Sequence, residues 1–113
     1  MGEFAFNGKT LRILPLPLGE TPAGLYGDLN KIPPTAVIRT KKEGDVFKKF
    51  GGGSKSLSDY FTDKKIPLRL REDIPLIADD NEILVIFGIA ISDKIKTDDT
   101  TEKIIKFTYE DQK

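Results

Sequence analysis

The longest apolar run in the chain, Ile83-Leu84-Val85-Ile86-Phe87-Gly88-Ile89-Ala90-Ile91, is nine residues long. That is about half of what a helix needs to cross a bilayer, so the run belongs inside a folded domain. Rich in β-branched residues, it reads as the second arm of a hairpin. Pro75-Leu76-Ile77-Ala78 is the first arm, Asp79-Asp80-Asn81 the turn, and Ile89-Ala90-Ile91 is expected to continue the strand across a bulge at Gly88. An earlier hairpin is written in Phe4-Ala5-Phe6, Asn7-Gly8 and Thr10-Leu11-Arg12-Ile13-Leu14, because Asn-Gly readily takes the positive φ angles of a type I′ turn.

The other segments are shorter. Leu14-Pro15-Leu16-Pro17-Leu18 reads as an edge strand or an extended crossing, since each proline lacks a ladder N–H. Gly19 to Pro34 reads as connection with Leu25 and Leu29 as anchors, Ala36 to Thr40 as a short strand, 92–101 as a polar loop, and Lys103 to Tyr109 as a last strand. Helical spacing occurs once, where Leu57, Tyr60, Phe61 and Lys64 recur at i, i+3, i+4, i+7. Ser56 and Asp59 have the form of a capping box, Lys64 and Lys65 suit the negative C-terminal end, and Pro67 is a stop, which predicts a helix at about 56–65 with its apolar side in the core. With 113 residues, 38% hydrophobic and 32% charged, the expectation is a single α+β domain over 1–113, predominantly β, with one short central helix.

Composition narrows the chemistry. The chain has no cysteine and no histidine, which removes disulfides, thiolate–metal sites and the usual imidazole base. No basic region followed by an apolar stretch opens the sequence, so a cytoplasmic location is expected. The formal net charge is zero, yet the charge is unevenly spread. Residues 39–71 carry ten bases (Arg39, Lys41, Lys42, Lys48, Lys49, Lys55, Lys64, Lys65, Arg69, Arg71) against four acids (Glu43, Asp45, Asp59, Asp63), a net of +6. The remainder carries eight bases and fourteen acids. Such asymmetry fits a basic face that meets a polyanion, or alternatively an acidic protein surface.

Inside this basic stretch lies Gly51-Gly52-Gly53-Ser54-Lys55-Ser56. A P-loop needs Gly, four residues, then Gly-Lys-Ser/Thr, and counting back from Lys55 the required glycines fall on Ser54 and Lys49. The Ser-Gly-Gly-x-Asp-Ser loop of adenylating enzymes fails as well, because Gly51 replaces the first serine and Lys55 the aspartate. What survives is a phosphate-binding turn made of Gly52, Gly53, Ser54, Lys55 and Ser56 at a helix N-terminus, with catalytic and metal-binding residues expected to be absent. The carboxylates Asp79, Asp80, Asp98 and Asp99 read as solvated turn formers.

Val37-Ile38-Arg39-Thr40-Lys41-Lys42-Glu43-Gly44-Asp45-Val46-Phe47, the glycine turn with Ser54-Lys55-Ser56-Leu57-Ser58-Asp59-Tyr60-Phe61, and Lys64-Lys65-Ile66-Pro67 together resemble the C-terminal domain of tRNA(Ile)-lysidine synthases. The similarity continues through Arg71-Glu72-Asp73-Ile74-Pro75-Leu76-Ile77, Glu82-Ile83-Leu84-Val85 and Ile91-Ser92-Asp93-Lys94. Val46 and Leu68 stand where the family commonly has arginine, and Glu43 where proline is usual. The resemblance implies a sandwich-like, mostly β fold related to a domain of the phenylalanyl-tRNA synthetase β subunit. It also implies a tRNA-binding domain that engages the acceptor stem of a minor isoleucine tRNA. The parent enzyme converts the wobble cytidine to lysidine with lysine and ATP, whose nucleotide and magnesium belong to a catalytic N-terminal domain acting in cis or in trans. On this footing the ten basic side chains named above are the candidate RNA contacts, no cofactor is expected in this chain, and pairing of two copies through a strand edge is left open. The alternative is a protein-interaction or regulatory module.

Overall fold

The computed structural model describes residues 2–17 and 24–111. They form two sheets and a helical layer. Strands β1 (Gly2–Phe6), β2 (Lys9–Leu16), β3 (Leu25–Asp28) and β10 (Ile104–Asp111) make an antiparallel sheet in the order β1-β2-β10-β3. The β1–β2 hairpin turns at Asn7 and Gly8, with φ of 50° and 73° as a type I′ turn requires. Among the described residues β1 pairs with β2 only as far as Ile13, so Pro15 lies beyond the β1 ladder. The stretch after residue 23 is more ordered than a connection: Leu25 opens β3, and Leu29 begins a 3₁₀ turn to Lys31, both leucines packing on the core as anchors. Leu18, at the end of the expected edge strand, and the part of the expected connection from Gly19 to Ala23 lie outside the described residues.

The second sheet contains β4 (Val37–Arg39), β5 (Val46–Lys48), β6 (Ser54–Ser56), β7 (Leu76–Asp79), β8 (Glu82–Ile86) and β9 (Ala90–Ile91). Its order is β4-β7-β8-β5-β6, with β9 on β8, and it is mixed because β5 runs parallel to β8. The β7–β8 hairpin turns through Asp80, at φ 56°, and Asn81.

Two expectations are corrected here. The bulge is not at Gly88: Leu84 is the extra residue, with Ile77 opposite Val85 and Ala78 opposite Ile83. At Gly88, φ is 80° and the chain reverses, folding Ala90 and Ile91 back antiparallel onto Ile86 and Val85. A side chain at residue 88 would be strained at that φ and would also collide with the ring of Tyr109.

Strand β8 is buried on both faces. The extra residue shifts the alternation, so that Ile83 and Ile86 face one cluster while Leu84, Val85 and Phe87 face another. The latter cluster fills the space between the sheets with Leu11, Ile77, Ile105 and Phe107, where the Phe87 and Phe107 rings meet edge to face at 6.1 Å. The former takes helix α1 (Leu57–Asp63), whose Leu57, Tyr60 and Phe61 pack on Phe47, Leu76 and Ala78. The layers are therefore sheet, sheet and helix. Burying one Phe61-sized side chain stabilises the fold by roughly 1.5–3 kcal/mol.

Helix α1 is shorter than predicted and is followed by a second, unpredicted helix, α2 (Leu68–Arg71). Ser56 caps α1 by accepting from the Asp59 N–H at 3.1 Å. Lys64 is the C-cap of α1, Lys65 takes φ 59°, and Pro67, the expected stop, serves as the N-cap of α2. In the polar stretch 92–101 a 3₁₀ turn over Asp93–Ile95, capped by Ser92, sinks Ile95 fully into the core.

Candidate functional site

The basic segment 39–71 starts at the end of β4 and folds into β5, β6, α1 and α2, so its cations project from different places. The structure separates them into side chains committed within the domain and side chains free to meet a ligand.

Arg39 is committed. Its Nη1 and Nη2 donate to Asp45 Oδ2 and Oδ1 at 2.9 and 2.8 Å, with further bonds to the carbonyls of Thr40 and Asp80. The Asp45 side chain is 1% exposed, and the paired carboxylate holds the guanidinium pKa above its usual value. Asp45 also accepts the Lys42 N–H at 2.8 Å, and its own carbonyl accepts the Leu57 N–H at 2.8 Å. Asp45 thus ties the 40–45 loop to β4 through its buried carboxylate and to the start of α1 through its backbone carbonyl. Arg71 turns inward likewise, donating to the carbonyls of Ile66 and Ser58 and lying 5.9 Å from the centre of the Phe61 ring. Lys55 pairs with Asp63, which raises the Lys55 pKa and lowers that of Asp63.

The glycines form the turn of the β5–β6 hairpin, three residues ahead of the helix they were expected to open. Gly51 adopts φ 66°, and the Gly52 N–H closes the turn onto the Lys49 carbonyl at 3.2 Å. Gly53 is exposed, Ser54 and Ser56 pair across the ladder with Lys48 and Val46, and the Leu57 and Asp59 amides are already engaged. The loop and the α1 N-terminus are therefore separate, and what the turn projects is Lys49 and Phe50.

Both reach a cleft of about 660 Å³ at the seam between the sheets. Tyr26 of β3 lines one side, Phe50, Tyr60 and Ile89 others, and Lys49, Lys64 and Lys96 stand along it. The Phe50 ring is 56% exposed, although large aromatic rings are usually covered. Tyr60 is set by packing on Phe47, their ring centres 4.6 Å apart, and burial pushes its phenol pKa up. Lys64 Nζ lies 5.6 Å from the Tyr60 ring centre. Lys96 pairs at 3.0 Å with Asp93, whose carboxyl is held below its usual pKa by Lys96, Lys48 and the Gly51 amide. Lys48 is a looser partner of Asp93, at 3.8 Å. Among the described residues Lys49 and Lys64 make no ion pair.

The remaining predicted contacts lie apart from the cleft. Lys41 and Lys42 are on the loop braced by Asp45, and exposed Lys65 and Arg69 mark the α1–α2 junction. Tyr26, Phe50 and Lys96 were not singled out from the sequence. An exposed phenylalanine beside a glycine turn was the readable signal, whereas Tyr26 and Lys96 arrive only through the sheet topology. Among the described residues no three acidic side chains converge to hold a metal, and no helix is long and apolar enough to cross a membrane.

Fold and site together define a small α+β sandwich domain with a lysine-rimmed aromatic cleft. The family model described as the TilS substrate C-terminal domain matches residues 36–107, and the chain belongs to that family. It is 43% identical over 89 residues to a tRNA(Ile)-lysidine synthase of Clostridium tetani, covering 78% of this chain and 19% of that protein. With the enzymes of the same name from Dehalococcoides mccartyi and Parabacteroides distasonis it shares 33% over 102 residues and 30% over 104, covering 86% and 91% of this chain and 22% and 24% of theirs. The chain thus spans about a fifth of the length of these relatives. A crystal structure of a TilS C-terminal domain superposes with a TM-score of 0.73 at 24% identity, over 95% of this chain and 87% of the other, which shows a shared fold.

Proposed function

We propose that this chain is the tRNA-binding domain of a tRNA(Ile)-lysidine synthase and grips the acceptor stem of a minor isoleucine tRNA through its lysines. The parent enzyme, in the cytoplasm, uses ATP and lysine to turn the wobble cytidine into lysidine, and the catalytic N-terminal domain holds the nucleotide and its magnesium. The observation that carries this reading is a set of surface cations, of which Lys49 and Lys64 make no ion pair among the described residues, on a domain of the matching family. Lys41, Lys42, Lys48, Lys49, Lys64, Lys65 and Arg69 supply the phosphate contacts. Arg39, Arg71 and Lys55 position the backbone that presents them. The glycine turn, Gly52 and Gly53 with Ser54 and Ser56, serves by carrying Lys49 rather than by offering helix amides. An A-form stem suits such a surface, because its deep major groove leaves shape and backbone as what a protein can read.

A second surface favours a protein neighbour. Leu68 and Leu70 of α2 are 77% and 46% exposed, a pair of apolar side chains placed to rest on the catalytic domain.

Titrating the chain with isoleucine tRNA at several salt concentrations tests the RNA reading. With about five phosphates engaged, log K falls with log salt at a slope of roughly −3.5 to −4.5. A flat slope, or no affinity at low salt, rejects it.

A further inference from the structure

The cleft at the seam between the sheets is unsuited to a base-paired stem. Paired bases hide their faces in the stack, whereas this cleft is lined by aromatic side chains, the half-buried Tyr26 on one sheet and the exposed Phe50 on the other side, with the buried Tyr60 in its wall. Its cations are placed for an anion. Asp63, the one acid in its lining, is already matched by Lys55, and Asp93 behind it by Lys96, which leaves Lys49 and Lys64 unmatched among the described residues. A volume of about 660 Å³ is within the range of sites that enclose a small ligand. A flat π surface beside an unpaired ammonium group is the combination that binds single-stranded nucleic acid, by stacking on the base and attraction to the phosphate. Phe50 has no packing role that would account for its position, since it stands exposed at the tip of the β5–β6 turn.

We infer that this cleft receives an unpaired nucleotide of the bound RNA, its base against Phe50 and Tyr26 and its phosphate between Lys49 and Lys64. This rests on the reading of the domain as an RNA binder and adds a subsite to it. The lysines on the 40–45 loop and at the α1–α2 junction would hold duplex, while the cleft takes the strand that leaves it.

The test compares one fluorescent RNA hairpin in three forms: blunt, with a four-nucleotide 3′ tail, and with a four-nucleotide 5′ tail. A tail at one end should tighten binding about five- to tenfold, the equivalent of ~1–1.4 kcal/mol and the low end of what stacking one base contributes. Phe50→Ala and Tyr26→Ala should each erase that gain while the blunt hairpin binds as before. Phe50 is exposed, so its replacement leaves the core intact, and an unchanged melting curve verifies this. Equal affinity for all three hairpins overturns the inference and leaves the RNA reading standing, whereas no affinity for any of them overturns both. Loss of blunt-hairpin binding in Phe50→Ala also overturns it, by assigning the ring to duplex. Binding of a labelled Asp/Glu-rich peptide that Phe50→Ala abolishes, with no gain from either tail, overturns it by assigning the cleft to a protein.

Discussion

Arg39 clasps both carboxylate oxygens of Asp45 at 2.8 and 2.9 Å, and this pair, six residues apart, sets the path of the loop that carries Lys41 and Lys42. Removing one partner of a buried pair strands the other charge away from water. Arg39→Ala is therefore expected to lower stability by about 3 kcal/mol or more, read from the urea midpoint. RNA affinity measured where the variant is still folded should change less than in the Lys41→Ala, Lys42→Ala double variant. Equal losses would place Arg39 in the interface.

Charge removal on the outer surface should do the reverse. Replacing Lys41, Lys42, Lys48 and Lys49 by alanine is expected to weaken RNA binding and to flatten the salt slope by about 0.7–0.9 for each phosphate no longer engaged. The thermal midpoint should shift little, because ion pairs between exposed groups contribute roughly 0–1 kcal/mol. Unaltered affinity would move the RNA site elsewhere on the domain.

The pH profile follows from which groups are displaced, and in which direction. Asp63, Asp93 and Asp98 have folded pKa values lowered by Lys55, Lys96 and Lys31 respectively, so their contribution is present above the unfolded carboxylate pKa and is lost as the pH falls through the folded values. Arg39 and Lys55 are raised, so theirs is lost only in strong alkali. With no histidine or cysteine in the chain, stability should be level between about pH 5 and 9 and decline below about pH 4. Urea midpoints taken across this range check the plateau, and Asp98→Asn should make the acid decline shallower.

Gly88 tests the contact between the sheets at its exposed rim, where the Tyr109 ring lies against it. Gly88→Ala meets an unfavourable φ of 80° as well as the Tyr109 ring, with an expected cost of about 2 kcal/mol or more. Adding Tyr109→Ala should recover the steric part, so the double variant falls short of the sum of the singles by about 1 kcal/mol. Strict additivity in the melting free energies would mean that the ring moves aside freely.

The sequence made the local features legible. Asn7-Gly8 announces its turn, Ser56 its cap, and Leu57, Tyr60 and Phe61 their burial, since each signal is local and chemically distinctive. Strands of three residues such as Val46–Lys48 and Ser54–Ser56 carry too few alternations to announce themselves, and they exist because β8 offers a partner from far along the chain. At Gly88 a turn stands in place of the expected bulge, and what separates the two is the pairing of Ala90 with Ile86, which composition does not record. Among the site residues, the basic segment stands out in the sequence as a charge excess, but charge does not say which cations are spent at home. Arg39 and Lys49 look alike until Asp45 is found beside the first, and Tyr26 joins Phe50 only through the pairing of β3 with β10.

Strand β10 runs between β2 and β3, pairing on one side with residues 9–16 and on the other with residues 25–28. The first sheet is therefore stitched together by a segment that leaves the ribosome roughly eighty to a hundred residues after its neighbours. Until it arrives, β2 and β3 are unpaired along the edges it will occupy, and Ile105 and Phe107 are missing from between the sheets. High contact order of this kind slows folding, so the nascent chain waits with apolar edges uncovered. The half of the cleft that Tyr26 belongs to comes into being at the end of that wait, which makes the site depend on the emergence of residues 104–107.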